Sequence, residues 1–156
     1  MKIFKLIALA ATASLAMAAS AQASSFSPTG TSFTAAGGTN LMKGLLGPIP
    51  CTANFTGHTD ATGRAFIDTA AFTGSSLCTS VTAAGLPWEA IATGPSSATI
   101  KAVRFNSPLG PCGAEDLPVT LSGGAITFNY TMTAGNCHVW TTSPIVTTPT
   151  VSIVWP

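Results

Sequence analysis

Two stretches of the sequence decide the fold: PCTANFTGHTDATGRAFIDTAAFTGSSLC (residues 50–78) and PCGAEDLPVTLSGGAITFNYTMTAGNC (residues 111–137). We call them cassette 1 and cassette 2. Each opens with Pro-Cys and closes on a cysteine. The interval from the first cysteine to an internal glycine, and from that glycine to a second glycine, is the same in both. The repeat predicts two similar half-sheets that face one another and bury a common core.

Four cysteines in an exported chain of this size typically form two disulfide bonds. Of the three possible connectivities, the repeat favours Cys51–Cys78 with Cys112–Cys137, because each loop then closes within its own cassette. Closing a loop of roughly 25 residues stabilises the fold by about 3–4 kcal/mol. Zinc binding is the alternative use of the four thiols. The sequence has no C-x-x-C pair, so we expect neither a metal site nor a cofactor.

Residues 1–23 have the features of a secretory signal peptide. Lys2 and Lys5 precede an apolar, alanine-rich run, and Ala21-Gln22-Ala23 supplies small residues at both positions that a signal peptidase reads. We therefore expect cleavage after Ala23 and secretion into the medium or onto the outer cell surface. The apolar run is shorter than the ~20 strongly apolar residues of a membrane span, so no transmembrane segment is expected after cleavage.

The chain carries few charges. Charged residues make up 7% of it, whereas roughly 25–35% is common on soluble surfaces. Of the six basic residues, Lys2 and Lys5 belong to the leader, so four remain against five acidic residues. This balance excludes a basic nucleic-acid-binding surface. A weakly charged β surface has little protection against edge-to-edge association, which predicts self-association or contact with other surface proteins.

Cassette 2 contains the clearest strand pattern. Apolar and polar residues alternate over residues 126–132, and a period of two indicates a half-buried strand. In cassette 1 the equivalent residues 65–72 give no single apolar face, because Ile67 lies on one face and Phe72 on the other. The sequence leaves the facing of that strand open.

Further short strands, separated by turns of Gly, Pro and Ser, predict an all-β protein. The expected strands are residues 41–46, 77–83, 88–93, 98–105, 117–121, 139–142 and 150–155. Residues 81–85 are the only candidate helical turn outside the leader. We expect a single β-sandwich of Greek-key or immunoglobulin-like type over residues 41–156, stapled by two intradomain disulfides. Residues 24–40, rich in Ser, Thr and Gly, are expected to form an extended, flexible N-terminal arm, with an edge strand as the alternative.

The tryptophans are the candidate ligand-binding residues, because an exposed indole can stack on a sugar or a hydrophobic ligand. Trp88 and Trp140 are better suited to the core, given the area that an indole buries. Trp155 lies in an alternating C-terminal strand that could cap a sheet or dock on a neighbour.

No arrangement of residues predicts catalysis. His58 and His138 have no metal-ligating partner at a useful spacing, and Glu115-Asp116 is an ordinary acidic turn. Neither a Gly-x-Ser-x-Gly elbow nor a His-Glu-x-x-His helix occurs. We therefore expect that the protein is not an enzyme.

Several blocks resemble the PraA/PraB family of exported bacterial proteins, which are named as activators of alkane oxidation. They are PCTANFTG (50–57), FTGSSLC (72–78), GLPW (85–88), Cys112-Gly113 and Thr142-Ser143-Pro144. The resemblance covers most of the chain after residue 23. It implies a small extracellular protein associated with hydrocarbon use in some bacteria and with surface adhesion and biofilm in others. It implies no catalytic residues.

Two functions follow as hypotheses. The first is a secreted cell-surface protein, either an adhesin, a biofilm matrix component or a filament subunit, in which residues 24–40 complement the sheet of a neighbour. The alternative is an extracellular amphiphilic helper of alkane uptake or oxidation that binds or disperses hydrocarbon. Phe26, Phe33 and the three tryptophans motivate the alternative.

Overall fold

The computed structural model describes residues 23–156, and most of them lie in antiparallel strands. Residues 1–22 of the predicted signal peptide lie outside the described residues. The elements are β1 Ser25–Ser27, β2 Ser32–Lys43, β3 Leu46–Thr59, β4 Ala65–Gly74, α1 Ser76–Thr79, β5 Thr82–Ala84, β6 Trp88–Gly94, β7 Ser97–Ser107, β8 Gly110–Ser122, β9 Ala125–Thr127, β10 Asn129–Met132, β11 Cys137–Thr141, β12 Ile145–Thr148 and β13 Ser152–Val154.

The main sheet is closed. Eight strands pair in the ring β2-β3-β4-β6-β7-β8-β9-β12, and β12 pairs with β2 again. The first half of β2 pairs with β12, for example Ala36 with Val146, and its second half pairs with β11, for example Thr39 with Thr141. The all-β prediction is confirmed, but the sandwich is corrected to a barrel, because a sandwich would leave the first and last strands unpaired at open edges.

Residues 24–40 belong to the sheet and do not form the expected free arm. Composition suggested a loose segment, but Phe33 and Ala35 alternate with exposed residues and are buried inside the barrel. Gly37 and Gly38 lie where β2 passes from β12 to β11. A Cβ atom on Gly37 would come within 2.6 Å of the Ile145 Cα, so the close approach of these strands requires glycine.

The barrel has two closed ends, which we call the top and the bottom. The bottom carries the β3–β4, β6–β7 and β8–β9 turns, and it is covered by the small β1–β13 sheet, whose Phe26 side chain is buried in the core. The top carries the β2–β3, β7–β8 and β10–β11 turns. Near the top, residues 75–87 fill the space between β4 and β7, because β6 pairs with β4 only over residues 65–67.

In residues 75–87 the sequence predicted a strand followed by a helical turn, whereas the structure has a helical turn followed by a strand. The helical turn is α1, not residues 81–85, and the strand expected at 77–83 is confined to β5. β5 pairs with the upper part of β7, from Thr82–Asn106 to Ala84–Arg104. Among residues 23–156, no helix has the length and hydrophobicity that a bilayer span requires.

The two cassettes adopt matching conformations. The first glycines, Gly63 and Gly124, form the bottom turns with φ of +81° and +79°. The second glycines, Gly74 and Gly135, follow at the top with φ of +128° and +97°. The two hairpins lie four strands apart in the ring, on opposite sides of the barrel. The predicted pair of facing half-sheets is therefore present within one closed sheet.

A β-bulge explains the ambiguous facing of the strand in cassette 1. The register of β3 with β4 shifts between Thr56–Thr69 and Gly57–Ile67, which leaves Asp68 as an extra residue. A bulge of one residue reverses the facing of the residues beyond it. Ile67 and Phe72 therefore both contribute to the barrel interior, although they have opposite parity in the sequence.

Candidate functional site

The interior of the barrel contains two apolar cavities. The upper one, cavity 1, has a volume of about 70 Å³, and the lower one, cavity 2, about 40 Å³. Large side chains from nine strands and from residues 75–87 surround cavity 1; they include Leu41, Phe72, Val81, Trp88, Phe105 and Met132. Cavity 2 is lined by smaller side chains and by the bottom sheet, and its lining includes Phe26, Phe33, Ala65, Ala98, Val119 and Val151.

Four apolar side chains separate the two cavities and line both. This partition consists of Phe55, Ile67, Ile100 and Ile126. The partition residues come from four different strands of the ring, and Phe55 also packs edge-on against Phe72 with ring centroids 6.2 Å apart. The two cavities therefore share part of their lining.

The cavity walls carry no charge. Their polar side chains come from Thr39, Asn40 and Thr147. The hydroxyl of Thr39 donates to the carbonyl of Cys51 (3.3 Å), and that of Thr147 donates to the carbonyl of Gly124 (3.0 Å). Both hydroxyls are therefore satisfied by the protein. The Asn40 Oδ1 atom is the one buried side-chain acceptor without a partner among the described residues.

The charged residues lie on the outside of the barrel, mostly in pairs. Arg64 pairs with Glu89 (2.6 Å) near the bottom, and Lys101 pairs with Asp116 on the wall. The imidazole of His58 contacts Asp68 (2.8 Å). Within residues 23–156, no group of three or more His, Cys, Asp or Glu side chains is placed to hold a metal ion.

Glu115 anchors the β10–β11 turn to β8. Its carboxylate accepts hydrogen bonds from the Ala134 amide (2.5 Å), the Thr133 hydroxyl (2.8 Å) and the Tyr130 hydroxyl (3.2 Å). These bonds, that of the Ala134 amide above all, hold the pKa of Glu115 below its usual value. Removal of Tyr130 from water and its bond to Glu115 raise the pKa of the phenol.

Both disulfides lie in the upper half of the barrel, with the pairing that the repeat predicts. Cys51 is joined to Cys78 with the Cα atoms 5.6 Å apart, and this bond ties α1 to β3. Cys112 is joined to Cys137 with the Cα atoms 5.8 Å apart, and this bond ties β8 to β11. Each disulfide thus joins the first strand of its cassette to the cysteine that closes the cassette.

The three tryptophans do not share a site. Trp88 is buried in the wall of cavity 1, and its indole NH donates to the Ala84 carbonyl (3.0 Å). Trp140 is partly exposed and contacts His138, with ring centroids 4.6 Å apart. Trp155 is exposed near the bottom. Sequence reasoning did not find the cavities, because their lining is assembled from strands that are distant in the chain.

Comparison with known proteins agrees with the resemblance in the sequence. The family model described as alkane oxidation protein activator PraA/PraB-like matches residues 1–155. The chain belongs to the PraA/PraB-like family. No curated protein and no solved structure matches it. For this PraA/PraB-like protein, the apolar barrel interior is the feature that agrees with a family name referring to alkanes.

Proposed function

We propose that the protein is a non-catalytic, extracellular helper of alkane oxidation that binds a hydrocarbon chain inside the barrel. One observation carries the proposal: the two cavities are stacked in the barrel, enclosed by apolar side chains and free of charged ones. The name of the family, alkane oxidation protein activator, supports the same ligand class.

The chemistry of the lining favours an unfunctionalised chain. Transfer of a methylene group from water to an apolar site is worth about 0.8 kcal/mol, so a medium-length alkane gains substantially from burial. A fatty acid would bring a carboxylate into the same site, where neither cavity offers a basic partner. Burial of an unpaired charge is strongly unfavourable. The site should therefore prefer alkanes to their carboxylic acids.

The size of the interior sets the mode of binding. The cavities, at about 70 and 40 Å³, are even together smaller than the roughly 300 Å³ or more of most ligand sites, so binding of a chain requires the lining side chains to move apart. A chain can occupy both cavities if Phe55 and Ile126 in the partition change rotamer. A linear alkane suits such a narrow channel, whereas a branched or cyclic hydrocarbon requires more width at the partition.

The adhesin, biofilm-matrix or filament-subunit hypothesis stays a prediction. It relied on free sheet edges and on residues 24–40 as a donor arm. In the barrel, β2 pairs on both sides, and the terminal strands β1 and β13 pair with each other. Strand edges without a ladder partner remain at β10, at β5 and in the two-stranded β1–β13 sheet, but residues 24–40 are paired in the sheet and are not free to complement a neighbour. For this reason we favour the hydrocarbon function.

We also propose export of the chain with removal of its leader. The two disulfide bonds fit an extracellular protein, since the cytosol keeps thiols reduced. Sequencing of the N-terminus of the protein recovered from culture medium is expected to start at Ser24. A start at Met1 would contradict this part of the proposal.

Retention of alkane by the purified protein tests the function. The protein is equilibrated with dodecane or with dodecanoate, passed through a desalting column and extracted, and the bound chain is quantified by gas chromatography. We expect close to one dodecane per protein and several-fold less dodecanoate. Ala98→Phe, which fills cavity 2, should lower retention, whereas Ala36→Phe on the outer face should not. No retained dodecane would overturn the proposal.

A further inference from the structure

Three large apolar side chains are exposed at the top of the barrel. Leu45 and Leu46 form the tip of the β2–β3 hairpin with exposed fractions of 104% and 55%, and Leu77 in α1 is 45% exposed. We call these three residues the leucine rim. The other exposed large hydrophobic residues of residues 23–156 lie on the barrel wall or at the bottom; they are Ile91, Val146, Val154 and Trp155.

Charge is distributed unequally between the two ends. In the top turns, which are residues 43–47, 75–80, 107–110 and 133–136, Lys43 is the single charged residue. Its ammonium group donates to the carbonyls of Pro111 (2.8 Å) and Gly135 (2.7 Å), so it is held against the protein. The bottom carries Asp60 and the Arg64–Glu89 pair. The carboxylate of Glu115 also reaches the top, where the Thr133 hydroxyl and the Ala134 amide hold it, and Arg104 lies on β7 beside β5. The tip of the β2–β3 hairpin, which Leu45 and Leu46 form, can therefore leave water at little cost.

Part of the rim adjoins the interior through the chain. Leu77 is followed in the sequence by Cys78, which packs with Ile49 and Cys51 in a small core cluster at the top. Phe72 packs against the same cluster and also lines cavity 1, as Cys51 does. The cluster thus connects α1, which carries Leu77, to the wall of the upper cavity.

The wall beside this cluster has a gap in its strand pairing. β5 pairs with β7, but in the part of the chain that the structure describes it forms no ladder with β4 on its other side. Val81, which precedes β5, lines cavity 1 directly. Separation of β4 from residues 81–84 would open cavity 1 without breaking a strand ladder.

We infer that the leucine rim docks the barrel on the surface of a hydrocarbon phase, with the top facing the hydrocarbon and the bottom facing water. The partner is an uncharged liquid hydrocarbon surface, since the rim itself is apolar. The charged groups nearest to it in the top turns, Lys43 and the Glu115 carboxylate, are both held by the protein. Docking there places the β4–β5 opening at the source of the ligand. This inference rests on the proposed function, because it supplies the direction from which the chain enters the barrel.

Adsorption to hexadecane tests the inference. The rim variant Leu45→Lys/Leu46→Lys changes two exposed positions, and Val154→Lys/Trp155→Lys is the matched control at the bottom. Adsorption is measured by pendant-drop tensiometry and by flotation with hexadecane droplets. We expect the rim variant to need at least about tenfold more protein for the same fall in interfacial tension, because two exposed leucines are lost. The bottom variant should stay within about twofold of the original protein.

Two further measurements separate the possible failures. Dodecane supplied from dilute solution should be retained equally by the rim variant and the original protein, because the cavities are unchanged. Absence of retention in both proteins overturns the proposed function. The adsorption measurement still tests the docking of the rim in that case. Unchanged adsorption of the rim variant, or an equal loss in the bottom variant, overturns the inference. Binding to neutral phosphatidylcholine vesicles without binding to hexadecane droplets also overturns it.

Discussion

Gly135 lies directly against the carbonyl oxygen of Pro111, as Gly74 lies against that of Pro50. In both cassettes, therefore, the second glycine packs on the proline that opens the cassette. Both glycines have positive φ, and a Cβ atom at residue 135 would also come within 3.2 Å of the Cys112 Cα. The matched spacing of the glycines in the sequence reflects this contact beside each disulfide.

Substitution of Gly135 by Ala should be markedly destabilising. The added methyl group meets backbone that is fixed by the Cys112–Cys137 bond, and the left-handed conformation alone costs about 1–2 kcal/mol. Gly123→Ala is the control, because Gly123 has φ of +57° and open space around it. Urea unfolding should show a loss of about 1 kcal/mol for Gly123→Ala and at least twice that for Gly135→Ala. Equal losses would contradict the contact.

Each disulfide should contribute separately to stability. Removal of one bridge, by Cys51→Ser/Cys78→Ser or by Cys112→Ser/Cys137→Ser, should lower the free energy of unfolding by about 3 kcal/mol, because each closes a loop of comparable length. Urea unfolding of the two variants and of the reduced protein measures these losses. Detection of free thiols in the unreduced, denatured protein would contradict the pairing.

Stability should fall in acid, partly through Glu115. Its pKa is lower in the folded state than in the unfolded state, so its contribution is complete above the ordinary value of about 4.3 and is lost as the pH falls through the folded value. The melting temperature, followed from pH 7 to pH 2.5, should decline below about pH 4.5. Glu115→Gln should lower it at pH 7 and converge with the original protein at pH 2.5. A constant difference across this range would show that Glu115 does not contribute in this way.

A smaller side chain in the partition should make the stability of the protein depend on bound alkane. Ile100→Ala removes a buried side chain that lines both cavities and should cost about 2–5 kcal/mol. Because a ligand that binds only the folded state raises its stability, saturating dodecane should restore part of this loss. Melting curves with and without dodecane test this, with Ala36→Ser on the outer face as the control. A variant that gains no more from dodecane than the control would contradict a channel through the partition.

Local features of the chain predicted much of the fold. The spacing of the cassettes gave both disulfides. Alternation over residues 126–132 predicted one strand, which the structure divides at Phe128 into β9 and β10, and β10 contributes Met132 to the core. These predictions succeed because period-two burial and loop closure are local properties of the sequence. The bulge at Asp68 had one sign in the sequence: strict alternation put Ile67 and Phe72 on opposite faces of the predicted strand.

Closure of the sheet into a barrel could not be predicted from local sequence patterns. It depends on pairs such as Ala36 with Val146, which are separated by most of the chain and carry no local signal. A sandwich and a barrel both require many short alternating strands, so the pattern does not separate them. The cavities follow from closure, since their walls are assembled only when β2 meets β11 and β12. The candidate site therefore emerged from the structure alone.

Quenching of single-tryptophan variants by a brominated alkane tests most directly whether the ligand lies inside the barrel. Three variants each keep one indole, with Phe at the other two positions, and are titrated with 1-bromododecane, whose bromine quenches only at short range. Trp88 lines cavity 1, whereas Trp155 is exposed at the bottom. We predict saturable quenching of the Trp88 protein and little quenching of the Trp155 protein. Quenching of Trp155 with no change at Trp88 would contradict binding in the interior.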